Sequence, residues 1–152
     1  MKVRNAKITD AEAICSLVNY YAERDRMLFR SLSDIYEKMQ CFIVVEDEQG
    51  RTAGCCAVEV VWADLAEIKS LAVDCTRTKQ GFGAALVRTA TEKAVEIGVS
   101  NIFALTLEPV FFEKLGFARI EKEKLPMKVW SDCATCPKQQ HCDETAVIKT
   151  LQ

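Results

Sequence analysis

EIKSLAVDCTRTKQGFGAAL spans residues 67–86, where an apolar strand leads through a polar loop to a Gly-x-Gly turn that opens a helix. Glycines let backbone N–H groups approach an anion closely, and the N-terminus of a helix adds partial positive charge. The same spacing also suits glycines that only cap and pack a helix. The turn is therefore a candidate cradle for a pyrophosphate, formed by Gln80, Gly81, Phe82, Gly83 and Ala84.

Hydrophobic periodicity predicts the elements on both sides of this turn. Strands are predicted at residues 3–8, 41–46, 52–61, 66–73, 101–105 and 146–151, and extended structure resumes at Gly116. Helices are predicted after a cap at Thr9 or Asp10 and at residues 33–39, 84–97 and 110–115. This order predicts an α/β fold in which helices surround a mixed sheet.

The bulk composition predicts one domain over residues 1–152, with a Cys-containing C-terminal segment at 131–143. There is no apolar run near the roughly 20 residues that span a bilayer, and residues 1–10 lack a signal-peptide pattern, so a cytoplasmic location is expected. A formal net charge of -2 argues against a nucleic-acid partner, which selects a clustered basic face. The expected partner is a small-molecule substrate, with no nucleic acid and no membrane. The sequence does not determine whether the chain forms a homodimer.

Three ordered motifs resemble the GNAT superfamily of acetyltransferases: LAVD at 71–74, the glycine pair, and FFEKLGF at 111–117. The resemblance extends along nearly the whole chain. It implies a mixed, mostly antiparallel central sheet with helices on both faces, and acetyl-CoA as co-substrate. In the family's signature an arginine or glutamine stands three residues before the first glycine, where this sequence has Thr78. The backbone cradle is kept, and Thr78, Lys79 or Arg77 are the candidates for the side-chain contact.

The resemblance further implies that the strand before the cradle splays from its neighbour and presents its backbone to the pantetheine and the thioester. A backbone N–H there would stabilise the oxyanion that forms when an amine attacks the acetyl carbon. Two phenylalanines are expected to line the CoA tunnel. Besides the cradle, the predicted cofactor-binding residues are Leu71, Ala72, Val73, Thr78, Lys79, Phe111, Phe112 and Lys114.

A second level of resemblance concerns the substrate. The segments MLFRSL (27–32), AEIKSLAV (66–73), ALTLEPVFFEKLGF (104–117) and LPMKVWSDC (125–133) are similar to short, single-domain N-acetylglutamate synthases. Such enzymes acetylate the α-amino group of glutamate, and sometimes of glutamine, for arginine biosynthesis.

Glutamate brings two carboxylates, so its pocket needs at least two cationic or strong donor groups. The predicted substrate-binding residues are Arg30, Lys69 and Lys128. Each could also be a solvated surface charge. Arg30 is the least compatible with that alternative, because it follows an apolar MLF run where a charge needs a partner.

Glu67 is the predicted general base, because the family pattern places it on the strand beside the acetyl group. A strand-end surface glutamate is the alternative interpretation, and Glu59 and Glu108 are weaker candidates for the base. Many relatives have a tyrosine in the short helix to protonate the departing thiolate, where this sequence has Phe112. A thiol pKa of about 8.5 makes CoA a tolerable leaving group without an acid. We expect direct transfer in a ternary complex, with no acyl-enzyme cysteine.

The last cysteines form a cluster: Cys133, Cys136 and Cys142, with His141 beside the third. The spacing resembles that of a zinc site, but adjacent His141 and Cys142 rarely converge on one ion and a second CxxC pair is missing. No metal is therefore predicted. A structural metal, a redox-sensitive disulfide and reduced thiols all stay open.

Two other functions also stay open. The first is a GNAT enzyme for another primary amine, such as a protein N-terminus, a polyamine or an aminoglycoside, although the last two favour acidic pockets. The second is a non-catalytic acetyl-CoA sensor, which the residues at Thr78 and Phe112 would permit. Release of thiol from acetyl-CoA on addition of glutamate discriminates between the enzyme and the sensor.

Overall fold

The computed structural model describes residues 1–125 and 143–151. Its strands are β1 (Lys2–Asn5), β2 (Phe42–Glu46), β3 (Thr52–Trp62), β4 (Leu65–Val73), β5 (Asn101–Thr106), β6 (Ala118–Ile120) and β7 (Thr145–Thr150). Its α-helices are α1 (Ala11–Ala22), α2 (Leu32–Glu37), α3 (Phe82–Ile97) and α4 (Pro109–Glu113).

The strands form one 7-stranded sheet in the order β1-β2-β3-β4-β5-β7-β6. Every neighbouring pair is antiparallel except β4 and β5, which run parallel. The helix α3 connects these two strands, as a parallel crossover requires. The predicted mixed, mostly antiparallel sheet is confirmed.

Helices cover both faces of the sheet. Neighbouring residues of a strand point to opposite faces, so Phe42 and Val44 of β2 pack with α1 and α2, whereas Ile43 and Val45 pack with α3. The face of α3 that enters the core is formed by Phe82, Leu86, Val87, Ala90 and Ala94. The buried face of α1 is formed by Ala11, Ile14 and Val18.

Several predicted elements end at other residues. The first strand stops at Asn5 because Ile8–Asp10 form a 3-10 turn, in which the Asp10 carboxylate accepts hydrogen bonds from the Lys7 N–H and from the Arg4 guanidinium. The helix α3 begins at Phe82, two residues earlier than predicted, because Gly81 with φ of 85° is its N-cap. Only glycine adopts this left-handed conformation readily. With Gly81 as the cap, Phe82, the residue between the two glycines, already belongs to the helix.

Lys128, Cys133, Cys136, His141 and Cys142 lie outside the described residues. Within the described ranges, no group of three or more His, Cys, Asp or Glu side chains could hold a metal ion. None of the helices in those ranges is long and apolar enough to cross a membrane.

Candidate functional site

The site is a cleft between β4 and β5. These strands pair only where Leu65, Ala66 and Glu67 face residues 101–103, although β4 continues to Val73 and β5 to Thr106. The separation opens a cleft of about 1130 Å³ with Glu67 at its apex. The splayed arrangement that the resemblance implies is thus observed.

A β-bulge at Ser70 shapes the β4 wall of the cleft. Residues Cys55 and Ala57 of β3 are two positions apart, but their partners on β4, Ala72 and Lys69, are three apart. Ser70 takes up the extra residue with φ of 55°, an uncommon conformation for a residue with a side chain. The bulge reverses the faces of the residues beyond it. Ala72 therefore packs beneath α1, whereas Leu71 and Val73 pack against the core on the α3 side of the sheet.

The cradle lies at the end of the cleft where α3 begins. Lys79 and Gly81 both have positive φ, so the backbone makes a tight turn here. This turn leads directly into the first turn of α3. The first N–H groups of a helix have no intrahelical acceptor, so those of α3 can donate to an anion in the cleft. A Cβ on Gly83 would lie 3.3 Å from the ring of Phe111, which shows how closely the backbone approaches the opposite wall.

Arg77 supplies a cation beside the cradle. Its guanidinium lies 2.8 Å from a carboxylate oxygen of Asp47, in the turn between β2 and β3. Hydrogen bonds from the Arg51 N–H and from Arg77 hold the pKa of Asp47 below its ordinary value. Arg77, Thr78 and Lys79 all line the cleft. All three candidates for the missing signature side chain are therefore close to the cradle, and an ion pair with Asp47 orients Arg77.

Arg30 lies at the opposite end of the cleft, before α2. Its guanidinium contacts Glu59 at 2.5 Å, Asp34 at 2.8 Å and the Ser70 hydroxyl at 2.7 Å, with 10% of the side chain exposed. Burial raises the pKa of Glu59, but the Arg30 hydrogen bond and the charges of Lys69 and Arg30 outweigh it, so the net shift is downward. The partner that the apolar MLF run required is thus a pair of carboxylates.

Lys69 completes this group of charges. Its ammonium nitrogen lies 3.6 Å from a carboxylate oxygen of Glu59 and 3.8 Å from one of Glu67. Glu67 has 7% of its side chain exposed and Lys69 has 23%. The end of the cleft beside Arg30 is therefore built from interlocked opposite charges.

Two aromatic rings form part of the far wall. Phe111 and Phe112 line the cleft, and their rings make an edge-to-face pair with centroids 5.2 Å apart. Phe112 makes a second such pair with Phe117 and is 3% exposed. The ring at the position of the family's tyrosine is therefore a core residue at the edge of the cleft.

Most predicted site residues that the structure describes lie around this one cleft. Its lining includes Arg30, Glu67, Lys69, Leu71, Val73, Thr78, Lys79, Gly81, Phe82, Gly83, Ala84, Phe111 and Phe112. Three predicted residues are elsewhere: Ala72 is buried beneath α1, and Gln80 and Lys114 are exposed outside the lining.

Sequence reasoning missed two contacts at the cleft. The Tyr21 hydroxyl, from α1, donates a 2.5 Å hydrogen bond to the Val73 carbonyl at the end of β4. Burial raises the pKa of Tyr21, so the phenol stays protonated and can donate. Arg26 and Glu108 form a 2.8 Å ion pair between residues that both line the cleft. The only sequence signal for Tyr21 was its place on the apolar face of α1, which predicts packing instead of a hydrogen bond.

Comparison with known proteins places the chain in a family. The model of the acetyltransferase (GNAT) domain matches residues 38–119, which is more than half of the 152 residues. A protein of Chlorobaculum tepidum named uncharacterized N-acetyltransferase is 44% identical, over 98% of this chain and 96% of its own length. An amino-acid acetyltransferase of Mycobacterium tuberculosis is 37% identical, over 86% of this chain and 75% of its own. The chain belongs to the GNAT acetyltransferase family.

Solved structures match over the whole chain. A Mycobacterium tuberculosis protein in complex with CoA and NLQ has a TM-score of 0.88 and 30% identity, covering 100% of both chains. The N-acetylglutamate synthase of Neisseria gonorrhoeae, complexed with coenzyme A and N-acetyl-glutamate, has a TM-score of 0.89 and 26% identity. This chain corresponds to 35% of that enzyme's length.

The protein is an acetyl-CoA-dependent N-acetyltransferase, and the cleft suits its co-substrate. The positive φ of Gly81 and the close approach at Gly83 leave a backbone cradle at the start of α3 that added side chains would disturb. Beyond Glu67, no described residue of β5 pairs with the β4 backbone, so this edge is open to a bound molecule.

Proposed function

We propose that the enzyme transfers the acetyl group of acetyl-CoA to the α-amino group of an amino acid, with L-glutamate as the first candidate. The observation that carries this proposal is the oriented guanidinium of Arg30, at the acceptor end of the cleft that has Glu67 at its apex. In this role the enzyme would act in arginine biosynthesis in the cytoplasm. The names of the amino-acid acetyltransferase and N-acetylglutamate synthase relatives support the same substrate class.

Arg30 is the proposed ligand of a substrate carboxylate. A guanidinium carries five N–H donors in a fixed fork. Within the described residues, Glu59, Asp34 and Ser70 accept from its three nitrogens, and they hold its plane in one orientation. In the proposal, the two N–H groups that these contacts do not use donate to a carboxylate that enters the cleft. Lys128, predicted for the second carboxylate, stays a prediction.

Glu67 is the proposed base. The substrate amine arrives as an ammonium group, and the Glu67 carboxylate accepts its proton directly or through a water. The nitrogen lone pair then forms the bond to the acetyl carbon, and the electrons of the thioester carbonyl move to its oxygen. Backbone N–H groups of β4 near Leu71 and Val73, beyond the part of the strand that pairs with β5, would donate to that oxyanion. The carbonyl reforms as the carbon–sulfur bond breaks and the thiolate leaves. The nitrogen gives up its second proton to the departing thiolate or to water, so the products are the neutral amide and CoA.

The two buried cysteines, Cys55 and Cys56, are unsuited to act as nucleophiles. Burial raises the pKa of Cys55 to about 12, and it raises that of Cys56 further. Both thiols therefore stay protonated at neutral pH, and a thiol in that form is a poor nucleophile. This supports direct transfer between the two bound substrates.

Thiol release from acetyl-CoA, measured with a panel of acceptors, tests the proposal. The panel contains glutamate, glutamine, other free amino acids, polyamines and N-terminal peptides. We expect glutamate or glutamine to give the highest kcat/KM. A polyamine or peptide as the best acceptor would refute the substrate class while the family assignment stands. No turnover with any amine would favour an acetyl-CoA sensor.

The Arg30→Ala variant tests the carboxylate site within the same assay. Loss of a largely desolvated, charge-assisted contact costs about 2 to 5 kcal/mol, which corresponds to a rise in the KM for glutamate of roughly 30-fold or more. The KM for acetyl-CoA should hardly change. Arg119→Ala is the matched control, because Arg119 also pairs with a glutamate, Glu113, but is 53% exposed and outside the cleft.

A further inference from the structure

Glu59 and Glu67 face each other across the antiparallel pair β3–β4 as direct Cα partners. Directly opposed residues have Cβ atoms about 4.5 to 5.5 Å apart on the same face of the sheet, where two like charges destabilise the pair. Only 12% of the Glu59 side chain and 7% of the Glu67 side chain are exposed, so water screens the repulsion poorly. The proposed base therefore has a second carboxylate beside it.

Lys69 lies where it can neutralise this repulsion. It is two residues from Glu67 along β4, so its side chain projects from the same face. Its partner across the ladder is Ala57, whose small side chain leaves space between the strands. The ammonium nitrogen is 3.6 Å from Glu59 and 3.8 Å from Glu67, so one cation attracts both carboxylates.

Other charged groups surround the pair on each side. From the α2 side, Arg30 contacts Glu59 and also Asp34, and Lys38 contributes a more distant positive charge. Glu108 and Glu144, next to β5 and β7, also line the cleft, and each adds negative charge. Among the described residues, Lys69 is the cation within ion-pair distance of Glu67.

We propose that Lys69 is a positioning residue for the general base: its ammonium group keeps Glu67 ionised and fixed at the apex of the cleft, instead of binding a substrate carboxylate. The inference rests on the proposed function, in which Glu67 accepts the proton of the substrate. Only the carboxylate form of Glu67 can accept this proton. Without the cation, burial and the charge of Glu59 favour the protonated form, which is inactive as a base.

The consequence is a defect that depends on pH. A neighbouring opposite charge lowers the pKa of a carboxyl group by about 1 to 3 because it stabilises the ionised form. Removal of Lys69 should therefore move the acidic limb of the kcat/KM profile to higher pH by about 1 to 3 pH units. Below the limb, kcat/KM falls by roughly tenfold for each pH unit that the limb moves, and at high pH it recovers to within a few-fold of the wild type.

The experiment compares wild type, Lys69→Met, Lys69→Arg and the double variant Lys69→Met/Glu59→Gln. Thioester absorbance follows the reaction, because that signal does not depend on thiol ionisation. We expect the acidic limb to move upward in Lys69→Met and to stay near the wild-type position in Lys69→Arg. It should return toward lower pH in the double variant, which lacks the opposing charge. The double variant and Lys69→Arg keep the test valid if Lys69→Met folds poorly.

Two results would overturn the inference. One is a rise of tenfold or more in the KM for glutamate at every pH with an unmoved acidic limb, which would make Lys69 a ligand of the substrate carboxylate. The other is a Lys69→Met variant in which both the acidic limb of the kcat/KM profile and the KM for glutamate are unchanged. Glu67→Gln separates this inference from the proposed function. Wild-type turnover of Glu67→Gln refutes Glu67 as the base, whereas an inactive Glu67→Gln with an unmoved limb in Lys69→Met refutes only the role of Lys69.

Discussion

An aspartate at Gly81 should abolish acetyl-CoA binding while the fold persists. Gly81 is the N-cap of α3 with φ of 85°, and an added Cβ would meet nothing nearer than the terminal methyl of Met1 at 3.8 Å. The substitution therefore causes backbone strain but no steric overlap. A left-handed conformation costs a residue with a side chain about 1 to 2 kcal/mol, and aspartate tolerates it better than most.

The effect on binding comes from charge. A carboxylate about 5 Å from one negative charge of a pyrophosphate raises the free energy of the complex by about 3 kcal/mol at an effective dielectric constant of about 20. This corresponds to a rise in Kd of roughly a hundredfold or more. Isothermal titration calorimetry with acetyl-CoA measures the Kd, and thermal unfolding establishes that the variant is folded.

Gly98→Asp is the matched control. Gly98 caps the other end of α3 with φ of 104°, and an added Cβ there would meet nothing within 4 Å. Gly98→Asp therefore introduces similar strain and the same charge, about 26 Å from Gly81 at 1.5 Å per residue of helix. Salt screens the repulsion between charges at that separation, since the Debye length is about 8 Å at physiological ionic strength. A folded Gly81→Asp with wild-type affinity, or an equal loss in Gly98→Asp, would refute the cradle.

Three further predictions concern Glu67, Tyr21 and the buried pair Cys55 and Cys56. Glu67→Gln should lower kcat by roughly 10²-fold or more with near-normal acetyl-CoA binding, measured by steady-state kinetics and calorimetry; a kcat within a few-fold of wild type would move the role of base elsewhere. Tyr21→Phe removes the hydrogen bond to the Val73 carbonyl, so stability should fall by about 0.5 to 1.5 kcal/mol. The KM for acetyl-CoA should rise a few-fold, and an unchanged KM would limit the hydroxyl to supporting the fold. Replacing both Cys55 and Cys56 with alanine should leave the number of fast-reacting thiols in the native protein unchanged and lower the number in the denatured protein by two, by thiol titration; slower labelling of the native variant would contradict their burial.

The local elements were predictable because their signals are local. The continuous apolar run of β2 predicted a buried strand, and its residues do enter both core clusters. The glycine pair predicted a turn that leads into a helix, and this turn forms at Gly81 and Phe82. The role of residues 80–84 as a pyrophosphate cradle stays a prediction. The start of α3 was wrong by two residues because the pattern does not reveal that Gly81 takes the left-handed conformation and acts as the cap.

The charge pairs of the site were much less predictable. Arg30 was singled out because an isolated charge in an apolar run needs a partner, and Asp34 lies one helical turn away in sequence. Its shorter contact is with Glu59, 29 residues away, and depends on how α2 packs on the sheet. The sequence therefore predicted that Arg30 is constrained, but not that carboxylates of the protein hold it.

The bulge at Ser70 divides β4 into two halves that face opposite sides of the sheet, and the proposed function assigns these halves to the two substrates. Before the bulge, Glu67 and Lys69 project on the α1 and α2 side, where Arg30 lies. In a regular strand, Leu71 would project on that side too. The additional residue reverses the alternation, so Leu71 and Val73 contact the core on the α3 side, toward the cradle. A one-residue change of register moves every later side chain to the other face. Because Ser70 has no sequence signature of a bulge, this division of β4 into two oppositely facing halves becomes visible only in the ladder between β3 and β4.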